Sequence, residues 1–190
     1  MEKGPIDIKN KLDEGVTFKI SRFKEQIKKT KPHKHDEYNE LIFLKEGEGF
    51  HTVETEKHLI TAPEFYFLKP GQLHFWQFTS IPKGYVIIFK NNEFDPVKEN
   101  QSTDFLGRFD QITRIGFQNE NYPEYILEEI LKEYQLNNQY SKEVIHGLLN
   151  ALLGKLLRLY SNQTSSFNNP QHIYDKFMQL LVKETPNLHK

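Results

Sequence analysis

The sequence predicts a β-rich fold, an antiparallel sandwich or barrel of short strands followed by C-terminal helices. Three observations carry this. From about Gly15 to Lys90, the runs VTFKISRF, ELIFL, GFHTVET, KHLIT, EFYFL, HFWQF and YVIIF are aromatic or β-branched. Gly, Pro, Glu or Lys punctuates them at short intervals, as in linked antiparallel strands. From Pro123 onward the apolar spacing switches to three and four residues, the period of a helix.

Each element follows in order. Alternation within ELIFL puts Glu40, Ile42 and Leu44 on one face and Leu41 and Phe43 on the other. A charged group sharing a face with Ile and Leu implies an interior with one polar end. In EFYFL aromatics fall on both faces, so the face is ambiguous there. PGQLHFWQF delivers His74 just after a Pro-Gly turn, with Trp76 and Phe78 on its face. Asn91 to Asn121 is a polar connection without a clear period, with a short helix expected near Phe105. Pro123 fits the first turn of a helix carrying Ile126, Leu127, Ile130, Leu131 and Tyr134. Ser141 is the expected N-cap of a second helix, with Tyr140 stapled against Ile145.

That second helix carries apolar residues from Ile145 to Tyr160 in a stripe wider than one neighbour needs. Gly147, Ala151 and Gly154 form a small-residue strip on it that admits a close backbone. Either the helix covers the sheets or it forms a two-helix dimer interface. SNQTSSFNNP then reads as a polar linker, and Asn169-Pro170 starts a third helix with Ile173, Phe177, Leu180 and Leu181 on its apolar face. That helix begins something the chain does not finish, so the expectation is a fragment of a longer protein.

Composition narrows the function. The absence of cysteine excludes disulfides and thiolate metal sites. A formal charge of −1 is not the footprint of a chain that holds DNA by itself. No apolar run reaches the ~20 residues of a membrane span, and the N-terminus lacks a signal-peptide core. A soluble, cytoplasmic chain with no membrane partner is expected.

The stretch PHKHDEYNELIFLKEGEG carries the chemistry. Residues two apart on a strand point the same way, so His33 and His35 converge, and Glu40 opens the next run. With His74 they offer three imidazoles and a carboxylate, a set suited to a divalent transition metal such as iron, manganese, nickel or zinc. The bland alternative is a polar, hydrogen-bonded mouth that orders two loops. Ile42, His51, Phe67 and Trp76 are the candidate residues lining a site for a small organic ligand, a sugar or an aromatic or other organic acid. The basic run from Lys19 to Lys34 reads as a solvated edge rather than a phosphate strip.

The spacing His33-x-His35-x4-Glu40-x6-Gly47, followed by Gly71-x2-His74, resembles the paired motifs of the cupin superfamily over about residues 16–90. The resemblance implies a double-stranded β-barrel (jelly roll) with His33, His35, Glu40 and His74 as metal ligands. Ile27 and Pro63 stand where the motifs have their leading glycines, and Phe78 replaces the terminal Asn of the second. PHKHDEYNELIFLKEGEGFHT, FLKPGQLHFW, two long helices and IYDKFMQLL together resemble an AraC-family transcription regulator. That resemblance implies an effector-binding barrel and connection over 1–120 and a helical dimerisation region over 121–162. Residues 163–190 would then be a linker and the first helix of a truncated helix-turn-helix domain. Expected partners are a small-molecule effector, a second copy of the chain, and promoter DNA through the missing domain. No cofactor is required. The competing expectation is a metal-dependent cupin dioxygenase or isomerase using the same four residues, and a third is a stand-alone sugar-binding cupin.

Overall fold

The seven aromatic or β-branched runs all become strands. The computed structural model describes residues 6–90, 106–117 and 122–167. Its strands are β1 (Asp7–Ile8), β2 (Phe18–Arg22), β3 (His33–Lys34), β4 (Asn39–Glu46), β5 (Gly49–Val53), β6 (Glu56–Leu59), β7 (Glu64–Leu68), β8 (His74–Phe78), β9 (Lys83–Phe89) and β10 (Arg114–Gly116). The sequence reading missed β1, β3 and β10, which are too short to show a period.

The chain passes back and forth between two five-stranded sheets. One has the order β1-β3-β8-β5-β6 and the other β10-β7-β4-β9-β2. Among the described residues no ladder joins them, so the expected closed barrel is an open two-sheet arrangement. At the sheet edges β1 has two residues and β10 three, too few to carry hydrogen bonding round to the opposite sheet.

Burial explains the ambiguous EFYFL run. All five residues of β7, and the first six of β4, are buried, because this sheet is covered on both faces. Ile42, Leu44, Tyr66 and Leu68 face inward and pack with Phe23, Trp76 and Phe78 from across the gap. Phe43, Phe65 and Phe67 face outward, where Phe43 stacks on Phe65 at 4.7 Å and Phe67 lies 4.8 Å from Phe109. Strands β5 and β8 instead alternate buried and half-buried residues, as a sheet with one wet face should.

Two positions require glycine. A Cβ at Gly84 (φ +155°) would lie 1.8 Å from the Phe43 carbonyl oxygen, and one at Gly49 (φ +131°) 2.1 Å from that of Gln77. Strand β10 is pinned by Glu64, which is fully buried and ion-paired with Arg114 Nε at 2.7 Å. The same carboxylate accepts hydrogen bonds from Thr61 N at 3.0 Å and from the Tyr66 hydroxyl.

A 3-10 turn (Gly107–Phe109) follows the place where a short helix was expected; Phe105 itself lies outside the described residues. Helix α1 (Glu124–Leu136) starts just after Pro123 and buries Ile126, Leu127 and Ile130. It leans on the second sheet through Phe18 against Tyr134 at 5.8 Å and through Lys45 Nζ to Glu124 at 2.8 Å. Helix α2 (Ser141–Phe167) begins where expected. The Ser141 hydroxyl accepts from Asn138 N and donates to Glu133 (2.9 and 2.8 Å), tying the turn between the helices together. Tyr140 is 66% exposed, so the predicted staple against buried Ile145 does not form. Its φ of +67° turns it away from the helix.

The helix also runs on to Phe167, through what read as linker. The Thr164 hydroxyl bonds back to the Tyr160 and Ser161 carbonyls at 3.1 and 3.0 Å, so that side chain is satisfied within the helix. The chain divides into two compact units, Met1–Leu153 and Gly154–Lys190. In the first, Ile145, Leu149, Leu152 and Leu153 are buried whereas Gly147 and Ala151 are exposed, and a Cβ at Gly147 would meet nothing within 4 Å. In the second, Gly154 is half-buried. The expected third helix, from Pro170, lies outside the described residues. No described helix is long and apolar enough to cross a membrane.

Candidate effector cavity and metal-ligand cluster

Short strands bring the four predicted ligands together. His33 pairs directly with His74 across β3 and β8, and its ring centroid lies 4.3 Å from that of His74. His35 follows β3, and its Nε2 lies 2.9 Å from His74 Nε2. Ligand atoms of His33, His35 and His74 all fall within 4.8 Å of one another. Glu40 enters from β4; its Oε2 sits 3.3 Å from His35 Nε2 and 3.8 Å from His74 Nε2. All four side chains are at most 2% exposed.

The outer nitrogens are held from behind. Nδ1 of His33 meets the Lys31 carbonyl at 2.7 Å, and Nδ1 of His35 meets the Lys9 carbonyl at 3.1 Å and the Tyr38 hydroxyl at 2.7 Å. Nδ1 of His74 meets His51 Nε2 at 3.2 Å. Such contacts fix ring orientation and leave Nε2 aimed at the shared centre. His51 itself is fully buried and stacks on Trp76 at 3.5 Å, one layer behind the cluster.

Electrostatics keep the His33, His74 and His51 rings neutral. Burial lowers His33 to about 4, helped by Lys9 and the other nearby positive groups, against the pull of its bond to the Lys31 carbonyl. Burial lowers His74 to about 3 despite the attraction of Glu40. Burial, then proximity to His74, pushes His51 well below its usual value. For Glu40, burial favours the neutral acid, but the Lys11 ammonium and His35 outweigh it and hold the carboxyl far below the carboxylate range. Lys11 Nζ donates to Glu40 Oε1. Glu40 Oε2 has no hydrogen-bond partner although it is buried.

The cluster forms one wall of a cavity of about 440 Å³ between the sheets. Ile42 and Trp76 line it, as the sequence suggested, together with Phe23, Ile27, Val86 and Ile88. His51 does not reach it, being screened by His74 and Trp76. Phe67 was assigned to the wrong face: it points outward to Phe89 and Phe109, because β7 is buried on both sides and hydrophobicity could not tell them apart. The reading also missed four lysines on the cavity wall: Lys9, Lys11, Lys19 and Lys24. Lys9 and Lys11 alternate in DIKNKLD, so an extended reading of that segment would have put both on one side.

Among curated proteins no sequence matches the chain. Among solved structures, it is similar to unsaturated-fatty-acid-bound ToxT from Vibrio cholerae, at 14% identity and a TM-score of 0.49, covering 77% of this chain and 57% of that one. It is also similar to a predicted oxalate decarboxylase from Thermotoga maritima, at 19% identity and a TM-score of 0.33, covering 38% of this chain and 64% of that one. A cupin protein from Bacteroides fragilis is similar at 20% identity and a TM-score of 0.32, covering 46% of this chain and 73% of that one. The chain thus spans less than two thirds of the length of the first two. The AraC-like ligand binding domain family matches residues 22–171, taking in the histidine cluster, both helices and the cavity lining from Arg22 onward, and the chain belongs to that family.

Proposed function

We propose that this chain is the sensing portion of an AraC-type transcription regulator, binding a small organic effector between its sheets and relaying occupancy to a DNA-binding region. The observation that carries the reading is the cavity of about 440 Å³, walled by Trp76, Ile42 and buried polar groups, within a chain of this family. Its size suits a small ligand, and a few fixed polar groups in an apolar lining suit selective recognition. Binding would act by population shift, and only to the extent that the effector's affinity differs between two arrangements of the regulator.

Dimerisation belongs to the same proposal. Exposed Gly147 and Ala151 leave an open helix surface in the first unit on which the same helix of a second copy can seat closely. Promoter DNA would be held by the region beyond the described residues, in the cytoplasm. The effector is a sugar or an organic acid.

A divalent transition metal also fits. Three imidazoles with braced outer nitrogens converge, and Glu40 Oε2, which accepts no hydrogen bond, faces them. His33, His35, His74 and Glu40 would hold the ion, which would supply Lewis acidity to a ligand in the cavity. Lys11 opposes it by charge while fixing Glu40 in place. The enzyme reading rests on this donor set alone and stands second.

The test is a panel of sugars and organic acids scored by Trp76 emission. Each binder is then assayed for its effect on the gel mobility of promoter DNA bound by the full-length regulator. A binder that changes DNA affinity is expected; binders that leave it unchanged throughout would count against sensing. Metal analysis of protein purified without an affinity tag, repeated on His35→Ala, tests the second reading.

A further inference from the structure

The cavity is charged asymmetrically. Four lysines (Lys9, Lys11, Lys19 and Lys24) and Arg22 line it against one acid, Glu40. Lys11 is paired with that acid, Lys19 Nζ donates to the Lys11 carbonyl at 3.3 Å, and Arg22 donates to the Tyr85 hydroxyl at 3.1 Å, neutral partners that leave both charges in place. Among the described residues the ammonium groups of Lys9 and Lys24 make no hydrogen bond or ion pair at all, so of the uncompensated cations these two are wholly open to a ligand. Lys9 and Lys24 also line the adjoining surface depression with Lys28, Lys29 and Lys31, against one acid there, Asp7. A predominantly positive field of this kind concentrates anions at the entrance.

The rest of the wall suits a sugar poorly. A pyranose carries a hydroxyl on nearly every carbon and needs paired donors and acceptors around it. Here the neutral hydroxyls on the wall are those of Ser21 and Thr30, and Thr30 Oγ1 already accepts from Trp76 N at 2.9 Å. Glu40, the one carboxylate there, gives Oε1 to Lys11 and has only Oε2 to offer. Besides the cations and the His33 and His74 rings, the wall is apolar: Phe23, Ile27, Ile42, Trp76, Val86 and Ile88.

We infer that the effector is a small organic acid with an apolar body, its anionic end held by Lys9 and Lys24 and its body against Trp76 and Ile42. The inference rests on the effector-binding reading above and names the ligand class for it. Trp76 is the chain's one tryptophan and lies on the cavity wall, so its emission reports occupancy directly.

The full chain is titrated with 4-phenylbutyrate, its uncharged amide and galactose. The acid should bind at least about tenfold more tightly than the amide, the scale of one charge-assisted hydrogen bond. That preference should shrink as salt rises from about 0.05 M to about 0.5 M, as screening of the lysines requires. It should largely vanish in the Lys9→Gln/Lys24→Gln variant, whose changes sit on half-buried and exposed side chains and whose unliganded Trp76 emission checks the fold. Equal binding of acid and amide, or tighter binding of galactose, would overturn the acid assignment while leaving effector binding in place. Silence towards both phenyl compounds would overturn it too, and the wider panel then decides the reading beneath it.

Discussion

Arg114→Ala should be among the most damaging single changes on the protein's periphery. Arg114 is only half-buried, so by exposure alone its loss should be mild. Its partner decides otherwise. Glu64 is fully buried, and its Oε2 depends on Arg114 Nε at 2.7 Å. Without the guanidinium, the carboxylate keeps the Thr61 amide and the Tyr66 hydroxyl but loses its counter-charge. An orphaned buried charge of this kind costs about 3–5 kcal/mol, and at about 2 kcal/mol per molar of urea that is a midpoint lower by roughly 1.5–2.5 M. One readout separates this from simple loss of packing. Adding Glu64→Gln to Arg114→Ala should recover most of the deficit, since a neutral amide needs no counter-ion. A deficit below about 1 kcal/mol, or one unchanged by Glu64→Gln, would refute the argument, because surface ion pairs contribute no more than that.

Three further outcomes are expected. Gly84→Ala should cost at least about 3 kcal/mol or prevent folding, because its Cβ would meet the Phe43 carbonyl at 1.8 Å; a near-parental melting temperature would contradict the β4–β9 approach. Gly154→Leu should weaken self-association in sedimentation if the small-residue strip is the dimer contact, and an unchanged profile would remove it from that role. In chelator, stability should fall from pH 7 to pH 5 by about 3 kcal/mol from His33 and His74 together, whose folded values near 4 and 3 lie below the ordinary 6.5. The unfolded chain binds the protons in this window and the folded one does not, so stability rises with pH; a flat urea midpoint would contradict neutral buried imidazoles.

The sequence made some features plain and hid others, for physical reasons. Alternation in ELIFL put Glu40, Ile42 and Leu44 on the inward face although β4 is buried on both sides, because Glu40 marked that face as the one with a polar end. EFYFL misled over Phe67, because a strand covered on both faces carries no contrast between them. The histidine spacing foretold the cluster, since residues two apart on an extended segment must converge. The lysines on the cavity wall were missed: solvated edges and ligand-facing walls use the same residue, and only the return of the chain over the cavity distinguishes them. Ser161 to Ser166 read as linker because Ser, Asn and Thr disfavour helix interiors, yet the helix continues to Phe167, with the Thr164 hydroxyl satisfied by carbonyls of its own preceding turn.

The cavity itself follows from what cannot be buried. Between the sheets Phe23, Trp76 and Phe78 pack edge and face at 5.1–5.9 Å, and Phe23 and Trp76 also form part of the cavity wall. On that same wall the chain places Lys9, Lys19, Arg22 and Lys24 with His33, Glu40 and His74. Closing the sheets there would strip those cations of water with one carboxylate to serve them, and that carboxylate already belongs to Lys11. Unpaired charges resist desolvation by several kcal/mol each, which exceeds what burying the remaining apolar wall would return. The sheets therefore stop short of full packing there, and the space they leave is suited to a guest that brings its own negative charge and its own apolar surface.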